Sequence, residues 1–316
     1  MTGSSNYRAA EITVAIATRD RPQALARCLA SLRDGRLWPA EVVVADQSAA
    51  VDSRAVAAGA NSPELPVRWI DGGPDGLAGG QNAAFRDATM PVVAVLDDDC
   101  IADVGWIEAI ERAFAADPAL ALVGGRVLPL PAAGDREFAV ASRTSPTRRE
   151  LKSAAAPWNV GSGNNFALRR EWFDRVGGGD ERLGPGTAGE GALDIDLFYR
   201  VLRAGGPALY DPSAIVHHER ATRAGRLARR RPYGHGMGAA CAIRLREGDL
   251  YAALLLGAWV ALRLRVLASS LLSRRWEALH EEALVLAGTG AGIVHGLRQP
   301  ARQSDGLRAA RRRDAR

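Results

Sequence analysis

Over its first hundred residues the chain alternates short β-branched apolar runs with helix-patterned segments, and every apolar run ends on a polar stop. Ile12-Thr-Val-Ala-Ile-Ala17 leads into Thr18-Arg19-Asp20-Arg21-Pro22, Glu41-Val-Val-Val-Ala45 into Asp46, Val67-Arg-Trp-Ile70 into Asp71-Gly72-Gly73-Pro74, and Pro91-Val-Val-Ala-Val-Leu96 into Asp97-Asp98-Asp99. Runs this apolar belong to strands covered on both faces, and strands alternating with helices specify a parallel α/β sheet with helices packed on both sides. Pro22 suits a first helical turn and is followed by Leu25, Cys28, Leu29 and Leu32 at helical spacing; a further helix is predicted over 77–88. Ligands of open α/β sheets bind beyond the carboxyl ends of the strands, so the polar stops define one candidate cleft.

A helix over 104–116 and a strand at Leu120-Ala-Leu-Val123 precede Gly124-Gly125 and a stretch over 129–157, rich in Pro, Ser and Arg, that reads as a long surface excursion. Order returns at Trp158-Asn-Val-Gly-Ser-Gly-Asn-Asn-Phe-Ala-Leu-Arg169. The helix after it stops at Gly177-Gly178-Gly179, and a second helix over 194–204 is closed by Gly205-Gly206 before the strand-like Ala208-Leu-Tyr210. Beyond His218 the chain becomes Arg-, Ala- and Leu-rich and helical. Charge follows the same division: residues 1–217 carry 22 Arg and Lys against 28 Asp and Glu, and residues 218–316 carry 19 against 8. An acidic body of net −6 is thus joined to a basic region of net +11.

Composition removes several classes. With 47% apolar and 24% charged residues the chain can build a core and is not disordered in the main. Lys152 is the only lysine and follows Leu151, which excludes a Gly-Lys-Ser/Thr phosphate loop and leaves a pyridoxal-phosphate enzyme only a loop lysine. Cys28, Cys100 and Cys241 form no C-x-x-C pair, which argues against a disulfide framework or structural zinc and for a reducing compartment. Met1-Thr-Gly-Ser-Ser-Asn6 lacks the basic start and apolar run of a secretory leader. Aromatic residues are 6% and are not interleaved with the arginines, so a nucleic-acid partner is not expected.

Three clusters can do chemistry. Asp97-Asp98-Asp99 directly follows a buried strand; three adjacent acids repel one another unless a cation neutralises them, and hard oxygen ligands suit Mg²⁺ or Mn²⁺. A solvated acidic turn is the plain alternative. Glu190-Gly-Ala-Leu-Asp194-Ile-Asp196 places Asp194 at the start of a predicted helix, where a carboxylate also complements the helix dipole. His217-His218 follows Pro212-Ser-Ala-Ile-Val216, and a neutral imidazole there could complete the shell of a carboxylate-bound cation.

Together these segments resemble the family 2 glycosyltransferases of the GT-A fold over residues 12–220. The resemblance rests, in the family's order, on Thr18-Arg-Asp20-Arg21-Pro22, Val44-Ala-Asp46-Gln-Ser48, Gly76-Leu-Ala-Gly-Gly-Gln81-Asn82, Val95-Leu-Asp97-Asp98-Asp99, Gly161-Ser-Gly163-Asn164-Asn165-Phe-Ala-Leu-Arg169-Arg170, Leu193-Asp194-Ile-Asp196-Leu197 and Ile215-Val-His217-His218. It implies a Rossmann-like α/β fold of GT-A type, a mixed, mostly parallel sheet flanked by helices with a C-terminal helical extension. It also implies an inverting hexosyltransferase that moves sugar from a nucleoside-diphosphate sugar to an acceptor hydroxyl. On that resemblance Thr18, Asp20 and Arg21 line the nucleotide pocket, Asp46 accepts a hydrogen bond from the base, and Gln81 and Asn82 contact the donor. Asp97 or Asp98 holds the ribose or sugar, and Asp99 binds Mg²⁺ or Mn²⁺ with Asp97 and His218 as further ligands. Asp194 is the general base. The chain departs from the family's pattern at Gln81, where relatives carry arginine, at Leu193, where they carry an acid for which Glu190 could substitute, and at Gly179, where an aromatic is usual and its loss would loosen the acceptor side near Asp180.

The implied organisation is a flexible N-terminus (1–10), a glycosyltransferase domain (11–220) with a nucleotide-binding half (11–125) and an acceptor half (126–220), a helical and membrane-associating extension (221–297), and an Arg-rich tail (298–316). Leu250 to Leu262 is apolar for 13 residues before Arg263 and Arg265 interrupt it, short of the roughly 20 needed to span a bilayer. Three readings of that region stay open: an interfacial helix on anionic lipid, a soluble pair (249–272 and 276–295) packed on the catalytic domain, and a transmembrane helix whose arginines snorkel. The expected acceptor is a glycan, a lipid-linked compound or a small molecule. The expected location is the cytoplasm, at the inner face of the plasma membrane where the tail docks. A catalytically inactive nucleotide-sugar-binding module and a nucleic-acid-binding protein are the competing functions; neither needs the metal and base carboxylates together.

Overall fold

The computed structural model describes residues 9–50, 52–132, 134 and 136–300. The expected flexible N-terminus lies outside these except for Ala9 and Ala10, which already belong to the first strand, and the Arg-rich tail lies outside them beyond Pro300.

The predicted alternation is realised as β1 (Ala9–Thr18), α1 (Pro22–Arg33), β2 (Trp38–Asp46), α2 (Asp52–Ala60), β3 (Val67–Asp71), α3 (Gly76–Asp87) and β4 (Val92–Leu96). Strands β3, β2, β1 and β4 pair in parallel, with Thr18 opposite Asp46 and Asp46 opposite Asp71. Register therefore levels the polar stops along one edge. Successive strand residues point to opposite faces: Val14, Ile16, Val42 and Val44 pack with Leu25 and Leu29, while Ala15, Val43, Val93 and Val95 pack with Phe85, Phe166 and Phe198.

The second half adds β5 (Cys100–Ala102), α4 (Trp106–Ala116), β6 (Leu122–Pro129), β7 (Glu137–Phe138), β8 (Arg149–Leu151), β9 (Asn165–Arg169), α5 (Arg170–Val176), α6 (Leu193–Arg203), β10 (Ala208–His218) and β11 (Ala221–Thr222). The main sheet runs β3-β2-β1-β4-β9-β6-β10-β5, with β8 also paired to β10. Strand β9 is antiparallel to both β4 and β6, whereas β10 is parallel to β6 and antiparallel to β5 and β8, so the sheet is mixed. The excursion over 129–157 is partly tied to the sheet: Arg149–Leu151 pairs with β10, and Arg143 exchanges both backbone hydrogen bonds with Val127. The strand expected at 208–210 continues to His218, because β10 pairs with β6 on both sides of an irregularity between Asp211 and Ile215 and with β5 at its end.

The C-terminal region forms α7 (Arg223–Ala228), α8 (Arg230–Arg246), α9 (Tyr251–Leu272) and α10 (Trp276–Arg298). Helices α8 and α10 touch backbone to backbone. A Cβ at Gly234 or Gly238 would meet the Val285 or Thr289 carbonyl at 1.9 or 2.1 Å, and one at Gly288 or Gly292 would meet the Arg231 or His235 carbonyl at 2.2 or 1.9 Å. The four-residue spacing of these glycines puts them on one helix face. Helix α6 is a shared wall: Leu197, Phe198 and Val201 face the sheet, while Ile195 and Tyr199 pack with Met237, Cys241, Leu255 and Trp259. Arg244 of α8 reaches into the same wall, pairing with Asp180 and, at 2.7 Å, with Asp196. The helical region thus shares a core and a buried ion network with the α/β part.

Candidate active site

The acid triplet begins where β4 ends. Thr18 at the end of β1 donates its hydroxyl to Asp98 Oδ2 at 2.7 Å, and Arg21 Nη1 lies 3.2 Å from both Asp98 Oδ1 and Asp99 Oδ2. Burial drives Asp98 toward the neutral form and leaves its carboxyl above the usual range, although Thr18 and Arg21 oppose the shift. Asp97, desolvated and beside two further carboxylates, is pushed well up. Antiparallel pairing of β5 with β10 sets His218 opposite Cys100 and so delivers the imidazole to Asp99.

The His218 ring reports its own tautomer. Nδ1 stands 2.6 Å from the Glu219 carbonyl oxygen, which can only accept, so Nδ1 carries a proton. Nε2 then faces Asp99 Oδ1 at 3.4 Å, and that carboxylate oxygen is buried without a hydrogen-bond donor. In neutral histidine this opposes two lone pairs, the arrangement of two ligands around a cation, with the second ring nitrogen fixed by a carbonyl. Asp99, Cys100 and His218 offer ligand atoms all within 4.8 Å of one another. Burial pushes the Cys100 thiol far up, and the carboxylate oxygen of Asp99 with the imidazole nitrogen of His218 suits Mg²⁺ or Mn²⁺.

Asp194 sits in the first turn of α6, entered through left-handed residues at Glu190 (φ 61°) and Ala192 (φ 59°). Its Oδ2 accepts the Gly163 backbone N–H at 2.7 Å, an approach that only glycine permits comfortably, since a Cβ there would stand 3.0 Å from the Asp194 Cβ. Burial at the foot of the cleft pushes the Asp194 carboxyl up, against the Ile195 and Gly163 amides that favour its charge. Asp194 and the triplet share a cleft of about 950 Å³ whose α/β walls include Thr18, Arg21, Gln81, Asp97, Asp98, Asp99, Asn164 and His218. Arg229, Pro232 and Tyr233, at the entry to α8, close another side.

Three expected donor-binding residues are not brought into this lining, because their side chains are committed to the protein. Asp20, at φ 56°, ties β1 to the turn after β2: its amide donates to Ser48 Oγ at 2.7 Å and its Oδ1 accepts from Ala49 N at 3.3 Å. Asp46 accepts from Ser48 N at 2.9 Å and from Trp69 Nε1 at 3.0 Å. Asn82 straps the segment after α5, accepting from Gly179 N at 2.8 Å and donating to the Gly179 carbonyl at 3.0 Å and Glu181 Oε1 at 2.8 Å. That strap also corrects the expectation at Gly179, which is tightly packed: a Cβ there would meet Asn82 Oδ1 at 3.0 Å and Leu193 Cδ1 at 3.2 Å. Glu190 does reach the cleft, turned toward Arg231 at 3.6 Å and His235 at 3.8 Å. Sequence reasoning missed Gln47, which lines the cleft and clamps the turn before α3 by donating to the Gly72, Gly73 and Gly76 carbonyls, at 2.8 Å for Gly73. It also missed Tyr233 and Arg229, which carry no motif.

A family model described as "Glycosyl transferase family 2" matches residues 13–177, just over half of the chain. The chain belongs to glycosyl transferase family 2. Two curated relatives, each named pre-mycofactocin glycosyltransferase, come from Mycobacterium tuberculosis strains CDC 1551 / Oshkosh and ATCC 25618 / H37Rv. Each is 29% identical to this family 2 chain over 262 residues, which covers 79% of the chain and 52% of the relative. The chain therefore spans about half the length of the curated relatives it matches. A mannosyltransferase from Pyrobaculum calidifontis, solved with GDP-Man and Mn²⁺, superposes with a TM-score of 0.60 at 19% identity, covering 90% of this chain and 88% of that one. GalNAc-T7, solved with UDP, GalNAc and Mn²⁺, gives 0.53 at 17% identity, covering 74% of this chain and 48% of that one. These likenesses establish the GT-A-type fold of this family 2 member.

Proposed function

We propose that this protein is an inverting glycosyltransferase that moves a sugar from a nucleoside-diphosphate sugar to an acceptor hydroxyl. The observation that carries the reading is the meeting, in one cleft, of Asp194 with an acid triplet whose Asp99 Oδ1 faces His218 Nε2 without a hydrogen-bond donor. Asp99 and His218 would hold a divalent cation, Mg²⁺ or Mn²⁺, which supplies charge neutralisation to a departing diphosphate. Asp97 and Asp98 stand beside that site, and Thr18 and Arg21 fix Asp98 in place. Asp194 takes the proton of the acceptor hydroxyl; the freed oxygen bonds to the anomeric carbon as the bond from that carbon to the diphosphate breaks, and the nucleoside diphosphate leaves with the electron pair. A single displacement with the base on the far side of the sugar inverts the anomeric centre.

Titration with UDP and GDP, with and without Mn²⁺, tests the donor side, and turnover of the corresponding sugar nucleotides tests the reaction. Asp99→Ala is expected to remove the Mn²⁺-dependent part of diphosphate binding. Asp194→Asn should leave that binding within about twofold and lower transfer by about 10²–10⁴-fold. Near wild-type transfer by Asp194→Asn would sink the base assignment.

The membrane is the proposed platform for the reaction. By length and composition Tyr251–Leu272 could cross a bilayer, and little of its apolar window is buried. Its outward stripe, Leu254, Ala258, Ala261, Leu264, Ala268 and Leu272, recurs at helical spacing, and Leu254 is 68% and Leu272 84% exposed. Arg263, one of the two arginines that interrupt the apolar run, turns inward, stacked over Trp259 and 3.3 Å from Glu282. Because α9 also packs on α8 and α10, an interfacial position fits better than a span.

A further inference from the structure

We propose that Asn164 selects the donor sugar, its side-chain amide gripping a hydroxyl of the hexose carried by the diphosphate. The inference rests on the reading of the cleft as a nucleotide-sugar site and adds a recognition element to it.

Two adjacent asparagines have opposite fates. Asn165, 1% exposed, is consumed by the fold: its Oδ1 accepts from Trp106 Nε1 at 2.8 Å and its Nδ2 donates to the Arg126 and Ala214 carbonyls, each at 2.9 Å. Asn164 is equally buried, at 3% exposure, yet neither its Oδ1 nor its Nδ2 has a hydrogen-bond partner. About 90% or more of buried polar groups in folded proteins are paired, so an amide unpaired at both ends needs a cause. Asn164 is among the residues that line the cleft, whereas Asn165 is not.

The chemistry of an amide narrows the ligand. Oδ1 only accepts and Nδ2 only donates. A phosphate or carboxylate oxygen only accepts and would leave Oδ1 unpaired. A sugar hydroxyl both gives and takes and can satisfy the pair. The neighbour Gly163 holds Asp194 through its backbone amide, so the same short loop that fixes the base presents Asn164. A site built to hydrogen-bond a hydroxyl rejects the analogue that lacks it, because the buried amide is then left unpaired.

The test compares affinities of the full-length protein for UDP, GDP and a panel of UDP- and GDP-hexoses, in the presence of Mn²⁺, for wild type, Asn164→Ala and the isosteric Asn164→Asp. Wild type should bind at least one hexose nucleotide more tightly than its parent nucleotide. Both variants should lose that increment by at least tenfold while their UDP or GDP affinity changes less than twofold. The melting temperature of Asn164→Ala should hold or rise, because no hydrogen bond within the protein is lost. Retention of the sugar increment in Asn164→Ala, absence of any increment in wild type, or a lowered melting temperature with the increment intact overturns this proposal alone. Failure of wild type to bind either UDP or GDP overturns the proposed function and this inference with it.

Discussion

Asp194 is a carboxylate that folding has made harder to ionise, and the cause is burial opposed by the Ile195 and Gly163 amides. As the proposed base, Asp194 must be deprotonated, so transfer should be lost as pH falls through a value raised above the ordinary 3.8 of aspartate. The acidic limb of kcat/KM should therefore lie above 3.8, while UDP or GDP affinity is expected to keep a different profile. A limb at or below 3.8 would contradict the role. Asp180 shows the opposite case. The Arg182 and Arg244 guanidiniums hold its carboxyl far below the usual range against the cost of burial, so its contribution to stability is present above the ordinary value and is lost only in stronger acid. At this scale the sequence already singled out Asp99, Asp194 and His218 as candidates, and the structure brings all three into one cleft. The sequence was not legible for Asp20, Asp46 and Asn82, because whether a polar side chain at a strand end or on a helix faces solvent or a neighbouring loop depends on partners far away in the chain.

Helix α6 carries the connection between chemistry and scaffold. Its first turn holds Asp194, one face packs on the sheet, and Asp196 and Tyr199 meet the helical region, Tyr199 by donating its hydroxyl to Asp249 at 2.7 Å. Arg200 and Arg244 both pair with Asp196, at 2.8 and 2.7 Å. Without Arg244, Asp180 keeps Arg182 and Asp196 keeps Arg200, so the cost stays below the roughly 3–5 kcal/mol of a buried charge left with no partner. Arg244→Ala should accordingly destabilise the protein by roughly 1–3 kcal/mol in urea unfolding, from the charge-assisted hydrogen bonds lost. An unchanged midpoint would show the network to be idle. Element boundaries followed the sequence closely where periodicity and glycine stops coincide, as at α5, which ends at Gly177 in the left-handed region (φ 77°). They failed at β10, whose extension to His218 is set by pairing and not by local pattern.

For the whole molecule, charge and hydropathy converge on one outer surface. From Leu250 to Trp276 the chain carries four arginines and no acidic residue; Arg265, Arg274 and Arg275 are exposed in the segment that bears the apolar stripe of α9, while Arg263 turns inward to Glu282. Binding to vesicles containing anionic phosphatidylserine should be stronger than to neutral phosphatidylcholine and should weaken with salt. Leu254→Glu with Leu272→Glu should reduce it at least tenfold without lowering UDP or GDP affinity; equal binding by the variant would leave the surface without a membrane role. The net +11 lies in residues 218–316, which include this surface, and the net −6 in residues 1–217, which hold the acid triplet and Asp194. The α/β class, the acid triplet and the place of Asp194 at a helix start were readable from the sequence, because apolar runs, helical spacing and stop residues are local signals. Only the tertiary structure decided that His218 meets Asp99, that Tyr233 and Arg229 help wall the cleft, and that one of two neighbouring asparagines is left unpaired in it. Those outcomes depend on strand order, register and helix contact between segments tens to more than a hundred residues apart, which no local pattern encodes.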